Sequence, residues 1–589
     1  MIKILSKYIG KYKKPSILTP CCMVMEVLME VLIPYVTALI IDKGIKAGDM
    51  EKIWIYGGIM ILMALCSLMF GVLGGKFGAE ASSGFAGNLR EGMYRNIQTF
   101  SFSNIDKFST AGLVTRMTTD VSNVQNAYQM ILRIAVRAPM TLVISMCMCF
   151  VINAKLSSLF LVAILILGVT LLILIRSTMK LFKQVFEKYD ELNASVQENV
   201  SAIRVVKAFV REEHENEKFI KAAGNLYGMF VKAESLIVLN SPVMMLVVYG
   251  CMIGLSWFGA QFIVIGDLTT GELTSLFTYV MSVLSSLMML SMIFVMMTMS
   301  AASARRIAEV LEEKADIVNP KEPIMEILNG QIDFENVNFA YKHGSGDNTL
   351  ENLNFSIKSG ETIGIIGGTG CGKSTLVNLI SRLYDVDSGA VRVGGRDVRE
   401  YDLDTLRNEV AVVLQKNVLF SGTILENLRW GKEDATLEEC KEVCEIACAD
   451  EFIEKMPDGY NTWIEQGGSN VSGGQKQRLC IARALLKQPK ILILDDSTSA
   501  VDMATDAKIR EAFAKKIPGT TKLIIAQRIS SVQGADRILV MEDGRMDGFA
   551  SHEELLQTNQ IYQEIYETQT KGGGDFDEPG EDKEGRKEE

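Results

Sequence analysis

Residues 367 to 374 read Gly367-Gly368-Thr369-Gly370-Cys371-Gly372-Lys373-Ser374. This octapeptide fits the pattern G-x-x-x-x-G-K-[ST], follows the apolar run Thr362–Ile366 and opens the apolar-periodic segment Thr375–Ile380. A strand, a glycine-rich loop and a helix in this order are the context that a phosphate-binding loop needs. The glycines let backbone N–H groups surround a phosphate, while Lys373 supplies a cation and Ser374 can ligate Mg²⁺. The pattern predicts an ATP site over residues 367–375.

A second anchor for Mg²⁺ follows further along the chain. Residues 491–495 form an apolar strand that ends in the carboxylate of Asp495, where phosphate-loop ATPases place a ligand to the metal. From about Gly330 onward, short β-rich runs alternate with helical patterns, as an α/β domain requires. The predicted strands are Ile332–Phe339, Thr362–Ile366, Val410–Leu414, Ile491–Leu494, Leu523–Ala526 and Ile538–Met541.

The first half of the chain contains six apolar runs, each long enough to cross a membrane, which takes about 20 residues. They are Pro15–Ile41, Ile53–Phe77, Ile134–Asn153, Leu156–Ile175, Leu236–Ile265 and Leu273–Met299. The long connections after the second and fourth runs are helix-patterned, which predicts helices that continue out of the membrane. These connections and the N-terminus hold most of the basic residues of this half, so we expect them in the cytosol together with both termini.

These patterns divide the chain into three parts. We expect a multi-pass domain in the cytoplasmic membrane over residues 1–320 and a cytosolic α/β nucleotide-binding domain over residues 326–570. The stretch 571–589 is rich in Gly and Glu and lacks apolar periodicity, which predicts a disordered acidic tail.

Charge and cysteine usage limit the possible partners. Residues 1–325 carry 30 basic and 25 acidic side chains, and the remainder carries 30 and 46. A nucleic-acid partner would require a basic soluble part, so the acidic second half excludes that class.

The eleven cysteines form no disulfide pattern, which indicates a reduced soluble half. Cys440, Cys444 and Cys448 recur every four residues, and because no histidine lies nearby, core packing is favoured over a metal site.

Further motifs, in order along the chain, resemble those of the ABC exporter family. Val471-Ser472-Gly473-Gly474-Gln475 resembles the signature motif, and Gln415 matches the family's glutamine loop. Tyr341 precedes Gly367 at the position where the family stacks an aromatic ring on adenine. Three longer segments resemble the D-loop and the two cytoplasmic loops of exporters: Ser499–Asp502, Phe108–Asp120 and Glu198–Phe209.

The resemblance covers nearly the whole chain and implies a fold, cofactors and residue roles. The implied fold is a helical six-span membrane domain with long cytoplasmic extensions, followed by an α/β ABC ATPase domain. ATP and Mg²⁺ are the implied cofactors, with Mg²⁺ held by Ser374, Gln415 and Asp495. The residues implied to contact ATP are Tyr341, Gly367, Gly368, Thr369, Gly370, Cys371, Gly372, Lys373, Ser374, Thr375, Ser472, Gly473, Gly474 and Gln475.

Three positions depart from the family pattern. Asp496 stands where the family has a catalytic Glu, Gln527 stands where it has a switch histidine, and Gln466 replaces a Glu before the signature motif. Aspartate is one methylene shorter than glutamate, and glutamine carries no charge and takes no proton. Together with Gln415, Asp496 and Gln527 are the predicted catalytic positions, and the two replacements predict a site that binds ATP and cleaves it slowly. Neutral drift with activity retained is the competing interpretation.

In the family, each ATP lies between one chain's phosphate loop and the other chain's signature motif. Because residues 472–475 are intact, this chain can complete a competent site for another chain. The pattern resembles the degenerate subunit of heterodimeric bacterial multidrug exporters. It predicts a non-identical partner with Glu and His at the two replaced positions, membrane lipids as surroundings and hydrophobic compounds as cargo. A lipid exporter, a peptide exporter and a regulatory ATP-binding subunit are competing hypotheses.

Two features of the predicted spans bear on the cargo. Glu26 and Glu30 share one face of the first span, where they could attract a cation in a cavity or pair with Arg133 or Arg137 of the third span. The sixth span is rich in methionine, which suits either adaptable ligand binding or ordinary packing. Its methionines include Met288, Met289, Met292, Met296, Met297 and Met299.

Overall fold

The computed structural model describes residues 1–341, 348–496 and 501–571, apart from some side chains in the membrane helices. The chain forms two compact units. The first comprises Met1–Gln98 and Ser109–Glu313, and the second comprises Thr99–Phe108 and Lys314–Glu589. The predicted tail at 571–589 lies outside the described residues except for Lys571, where the last helix ends.

The long secondary-structure elements of the first unit are all α-helices. Polar side chains cap the starts of several helices. The Asn153 side chain accepts hydrogen bonds from backbone N–H groups of the helix that follows it, and Thr269 and Glu272 form a capping box. The helices of residues 1–313 are α1 Ile2–Leu5, α2 Lys13–Leu39, α3 Met50–Ile97, α4 Phe102–Phe108, α5 Thr110–Thr115, α6 Val121–Ile152, α7 Ala154–Ser201, α8 Ile203–Ala208, α9 Glu212–Val238, α10 Asn240–Ile265 and α11 Thr270–Glu312. Of these, α4 belongs to the second unit.

Five helical stretches among the described residues are long and apolar enough to cross a membrane. They are Ile2–Ile45, Met50–Ile97, Thr110–Ile152, Pro242–Ile265 and Thr270–Leu290. The predicted fourth span, Leu156–Ile175, lies in α7, where many side chains are outside the described part of the chain, so the count of six stays a prediction. Both α3 and α7 have 48 residues, about 70 Å at 1.5 Å per residue, which confirms that helices extend well beyond a bilayer.

The acidic pair of the first span contacts one arginine of α6. Arg137 lies 2.7 Å from Glu26 and 2.7 Å from Glu30, so the structure contains the predicted pairing with the third span. The second carboxylate oxygen of Glu26 is buried and has no hydrogen-bond partner among the described residues. Gly71 of α3 leaves room for this carboxylate, because a Cβ there would approach it to 3.3 Å. Arg133, the other candidate partner, has a buried Nε that is likewise without a hydrogen-bond partner in the described ranges.

The second unit combines two main sheets with short helices. Its strands are β1 Ile332–Phe339, β2 Leu350–Ile357, β3 Thr362–Gly367, β4 Ser388–Val393, β5 Arg396–Asp397, β6 Val410–Val413, β7 Gly422–Thr423, β8 Trp463–Ile464, β9 Ile491–Asp495, β10 Thr521–Ile525, β11 Arg537–Glu542 and β12 Arg545–Ala550. Its remaining helices are α12 Lys373–Ile380, α13 Leu403–Glu409, α14 Ile424–Arg429, α15 Leu437–Ile446, α16 Asp450–Ile453, α17 Gly473–Leu485, α18 Met503–Lys516, α19 His552–Thr558 and α20 Gln560–Lys571. All six predicted strands are confirmed.

The larger sheet has the order β12-β11-β3-β10-β9-β6. Strands β11, β3, β10, β9 and β6 are parallel, and β12 closes the edge in antiparallel pairing. β9 and β10 are buried along their whole length, as their unbroken apolar sequences predict for central parallel strands. The carboxyl ends of the parallel strands meet at one edge, which is where α/β sheets bind ligands.

The three cysteines at four-residue spacing are buried. Cys440 and Cys444 lie on α15, Cys448 follows it, and all three belong to one apolar core cluster. No group of three or more His, Cys, Asp or Glu side chains arranged to hold a metal ion occurs among the described residues. Core packing, the favoured interpretation of this spacing, is confirmed.

Candidate nucleotide site

The phosphate loop joins β3 to α12 at the carboxyl edge of the sheet. Gly370 has φ +86° and Gly372 has φ +95°, a left-handed conformation that glycine adopts without strain. A Cβ on Gly372 would also lie 2.7 Å from Leu350, so the loop needs glycine there for space as well as for conformation. The turn places Lys373 and Ser374 in the first turn of α12, where the backbone N–H groups and the helix dipole favour an anion.

Lys373 folds back over the loop. Its Nζ donates to the carbonyl oxygens of Gly367 at 2.9 Å and Gly368 at 2.7 Å. These neutral acceptors hold the ammonium group at the concave side of the loop. A phosphate oxygen in the same place would offer a charged and therefore stronger acceptor.

The predicted Mg²⁺ ligands from β9 and α12 are in contact. Ser374 Oγ donates to Asp495 Oδ1 at 3.0 Å, and Asp495 is 5% exposed at the end of β9. Burial raises the pKa of the Asp495 carboxyl above its ordinary value, and repulsion from Asp496 acts in the same direction. The site offers two adjacent oxygen atoms, and one belongs to a carboxylate whose charged form is disfavoured by burial. Such a pair suits Mg²⁺, which usually takes one or two protein ligands and fills its other positions with water and phosphate oxygens.

The three predicted catalytic side chains converge on one atom. Gln415 follows β6, Asp496 follows β9 and Gln527 follows β10. The side-chain nitrogen of Gln527 lies 3.2 Å from Asp496 Oδ2, and that of Gln415 lies 3.5 Å from the same oxygen. Asp496 has φ +48°, and its N–H donates to the carbonyl of Ile525 at 3.1 Å, so its backbone is fixed in an uncommon conformation. Both amides face the carboxylate as neutral donors.

Tyr341 lies beside the start of α12. Its hydroxyl is 3.0 Å from Thr375 Oγ1, and its ring is 49% exposed after β1. The ring is approached edge-on by Tyr384, at a centroid distance of 5.2 Å and an interplanar angle of 90°. The ring is thereby held while half of its surface stays accessible, which suits stacking with a planar base. Tyr384 was not predictable from the sequence, because its contacts come from residues distant in the chain and no local pattern marks them.

The signature residues form the start of α17. Ser472 and Gln475 make a capping box in which each side chain accepts from the backbone N–H of the other, and Gly473 and Gly474 form the first turn. Gln466 lies in a short 3-10 helix before this motif. Of the predicted D-loop, Ser499 lies outside the described residues, whereas Asp502 caps α18.

Comparison with known proteins adds family relationships to this geometry. Residues 16–288 match the family model described as ABC transporter transmembrane region, and residues 350–499 match the family model described as ABC transporter. The chain is 40% identical to the Bacillus subtilis protein named uncharacterized ABC transporter ATP-binding protein YfiB, over 93% of this chain and 95% of that protein. It is 31% identical to the ATP-dependent lipid A-core flippase of Desulfotalea psychrophila, over 82% of this chain and 84% of that protein.

A solved structure resembles the whole chain. It is described as a bacterial Atm1-family ABC exporter with ATP bound, and it superimposes with a TM-score of 0.80 over 95% of this chain and 99% of that one. The two sequences are 23% identical, so the likeness concerns the fold.

Proposed function

This chain belongs to the ABC transporter family, and from that premise we propose that it exports hydrophobic or amphipathic compounds as one half of a heterodimer whose own ATP site turns over slowly. The family membership itself makes it an exporter half-transporter with fused membrane and ATP-binding domains, an ATPase and a binder of ATP. We propose the cytoplasmic membrane as its location, with both termini and the nucleotide-binding domain in the cytosol.

The observation that carries the proposal is the contact between the two replaced residues. Asp496 and Gln527 are 3.2 Å apart, so the two departures at predicted catalytic positions lie in one small group of side chains. With aspartate in place of glutamate, the carboxylate sits about 1 Å farther from a water placed for the longer side chain, and such a displacement lowers a rate by about 100-fold. Gln527 can donate to a phosphate but can neither take up a proton nor carry charge.

The remaining residues are those that binding requires. The glycine loop and the first turn of α12 surround the phosphates, and Lys373 exchanges the carbonyls of Gly367 and Gly368 for phosphate oxygens. Ser374 and Asp495 would hold Mg²⁺, with Gln415 as the third predicted ligand. When bound, the metal neutralises charge that develops on the phosphates. Tyr341 supplies the surface on which adenine stacks.

The signature motif contributes to a second ATP site, which this chain shares with its partner. Ser472–Gln475 caps α17 with backbone N–H groups directed out of the helix start, where they complete a site formed by another chain's phosphate loop. In a heterodimer, the site completed by residues 472–475 would cleave ATP rapidly, and the site at Lys373 and Asp496 would hold ATP and keep the dimer closed. A homodimer would contain two slow sites.

The test is ATP turnover by the purified full-length chain, without and with its partner half-transporter. Typical enzymes turn over about 10 times per second, so a 100-fold deficit predicts about 0.1 per second for the chain alone. ATP binding with Mg²⁺ should persist, and Lys373→Ala should abolish it. In the pair, Asp496→Asn should leave turnover nearly unchanged. Turnover of tens per second by the chain alone, lost in Asp496→Asn, would contradict the proposal.

An exporter of lipids on the same scaffold is the second candidate. The similarity to a lipid A-core flippase, at 31% identity, is the observation that favours it. Reconstitution of the pair in liposomes separates the two, with a fluorescent hydrophobic dye and a fluorescent phospholipid as parallel probes. Export of the dye alone supports the multidrug proposal, and movement of the phospholipid alone supports the second candidate. A peptide exporter or a regulatory ATP-binding subunit would move neither probe.

A further inference from the structure

The side-chain amide of Gln569, in the last turn of α20, forms two hydrogen bonds with the segment that carries Gln527. Its nitrogen donates to the backbone carbonyl of Gln527 at 2.8 Å. Its oxygen accepts from the backbone N–H of Ile529, also at 2.8 Å. A side-chain amide can do both, because it has a donor nitrogen and an acceptor oxygen, whereas a carboxylate only accepts. One side chain therefore holds the backbone on both sides of residue 528.

The helix that carries this amide is itself fixed to the core of the second unit. Tyr562 of α20 is fully buried and belongs to the apolar cluster that also contains Ile529. The Tyr562 hydroxyl lies 2.7 Å from His552 Nδ1, and its backbone N–H donates to Asn559 Oδ1 at 2.7 Å. The Gln569 side chain is exposed, but it extends from a helix whose position is set by burial.

The end of the same segment is held by a different helix. Arg510 of α18 donates to the backbone carbonyl of Ser530 at 2.9 Å. The hydroxyl of Ser531 donates to the carboxylate of Asp506, also on α18, at 3.1 Å. These contacts keep residues 530 and 531 in place without α20. Among the described residues, in contrast, the carbonyl of Gln527 has no donor besides the α20 amide.

We propose that Gln569 is a positioning residue for Gln527, whose backbone it fixes so that the Gln527 side chain reaches Asp496 and the γ-phosphate of ATP. This role rests on the proposed function, in which Gln527 donates to a phosphate. The side-chain nitrogen of Gln527 lies 3.2 Å from Asp496 Oδ2. A displacement of about 1 Å would take it beyond hydrogen-bond distance. Because ADP lacks the γ-phosphate, a well-placed Gln527 favours binding of ATP over binding of ADP.

The test compares two affinities of the full-length chain in the presence of Mg²⁺. One is for ADP, and the other is for the β,γ-imido analogue of ATP, which is not cleaved. Gln527→Ala should lower the preference for the ATP analogue by about tenfold, since a hydrogen bond to a charged acceptor is lost. Gln569→Ala should lower it nearly as much and leave the affinity for ADP unchanged. The double variant should lose no more than Gln527→Ala alone, because Gln569 acts through Gln527.

Two further variants separate the amide from its helix. Gln569→Glu keeps the length of the side chain and can accept from Ile529, but its carboxylate cannot donate to the Gln527 carbonyl. It should therefore lower the preference as Gln569→Ala does. Gln563→Ala is the matched control, because it removes the same type of side chain from the same helix. The Gln563 amide donates to the carbonyl of Leu556 in α19 at 2.7 Å, and its loss should leave the preference intact.

Three results would overturn the proposal while leaving the role of Gln527 in place. The first is a normal preference in Gln569→Ala beside a lowered one in Gln527→Ala. The second is an equal loss of affinity for both nucleotides in Gln569→Ala, which would indicate a general contribution of α20 to stability. The third is additive losses in the double variant, which would mean that Gln569 acts independently of Gln527.

A fourth result concerns the underlying assumption. A normal preference in Gln527→Ala would show that this side chain does not donate to the γ-phosphate. That outcome would remove the proposed role of Gln527 and, with it, the positioning role of Gln569.

Discussion

Two groups of side chains in this molecule hold carboxylates in opposite ways. In the membrane helices, Glu26 and Glu30 are both held by the guanidinium of Arg137. In the nucleotide site, Asp496 is held by the neutral amides of Gln415 and Gln527. An unpaired carboxylate among apolar helices is costly, so both carboxylates contact one cation there, whose charge offsets one of their two negative charges. A carboxylate beside phosphates and water must keep its charge to act on a water molecule, and neutral donors orient it without neutralising it.

The largest effect is expected from removing the cation of the membrane group. Arg137→Leu leaves two carboxylates without their counter-ion, and because the Glu26 side chain is only 13% exposed, the loss should exceed the roughly 1 kcal/mol of an exposed ion pair. Thermal unfolding of the chain in detergent measures the loss. The control is Arg95→Leu, which removes the exposed Arg95–Glu91 pair of α3 and should cost less than about 1 kcal/mol. Equal losses in the two variants would mean that the membrane group has no special electrostatic role.

The next effect concerns the length of the nucleotide-site carboxylate. Asp496→Glu restores the longer side chain and should raise ATP turnover of the chain alone by about 100-fold. Phosphate release at saturating ATP measures it. Asp495→Glu is the matched control, because the same added methylene at the Mg²⁺ position should lower turnover. No gain in Asp496→Glu would mean that the slow turnover has another origin.

A smaller effect is expected from the residue that contacts this carboxylate. Gln527→His in the Asp496→Glu background should add about a further tenfold in turnover, because residues in direct contact couple by amounts of this order. Alone, Gln527→His should change turnover little, since the carboxylate remains short. Phosphate release by the four variants of this double-mutant cycle provides the test, and strict additivity would argue against coupling of the two replacements.

The smallest effect distinguishes the two glutamates of the membrane group. The Glu30 side chain is 51% exposed and that of Glu26 is 13% exposed, although both are 2.7 Å from Arg137. Glu30→Gln should therefore cost less than about 1 kcal/mol, and Glu26→Gln should cost more. Thermal unfolding of both variants gives the order, and the reverse order would contradict burial as the cause.

The nucleotide-binding domain was far more predictable from the sequence than the contacts among the membrane helices. The octapeptide 367–374 and its flanking residues predict the strand, the turn and the helix from local sequence alone. Asp495 ends an unbroken apolar run, which is typical of a strand in the centre of a parallel sheet. Both were therefore predictable, and so was the contact of Asp495 with Ser374. The choice of Arg137 over Arg133 was not, because two arginines one helical turn apart differ only in how α2 and α6 pack.

The contacts of Tyr384 show the same limit in the soluble part. Neither Tyr384 nor Asp106 lies in a motif with a spacing rule, and their meeting depends on a contact between distant segments. The strand bounds, in contrast, follow from local apolar runs, and β1 occupies residues 332–339 as its sequence predicts.

The membership of α4 in the second unit has a consequence for how the chain is made. The hydrogen bond between Asp106 and Tyr384 joins residues 278 apart in sequence. At the usual rate of synthesis of about 5–20 residues per second, α4 leaves the ribosome roughly 15 to 55 s before the surface that receives it exists. During that interval Phe102 lacks its aromatic partner Tyr384, and the nucleotide-binding domain that emerges later must find a helix already fixed between two membrane segments. Assembly of this contact is thus a late step of biogenesis.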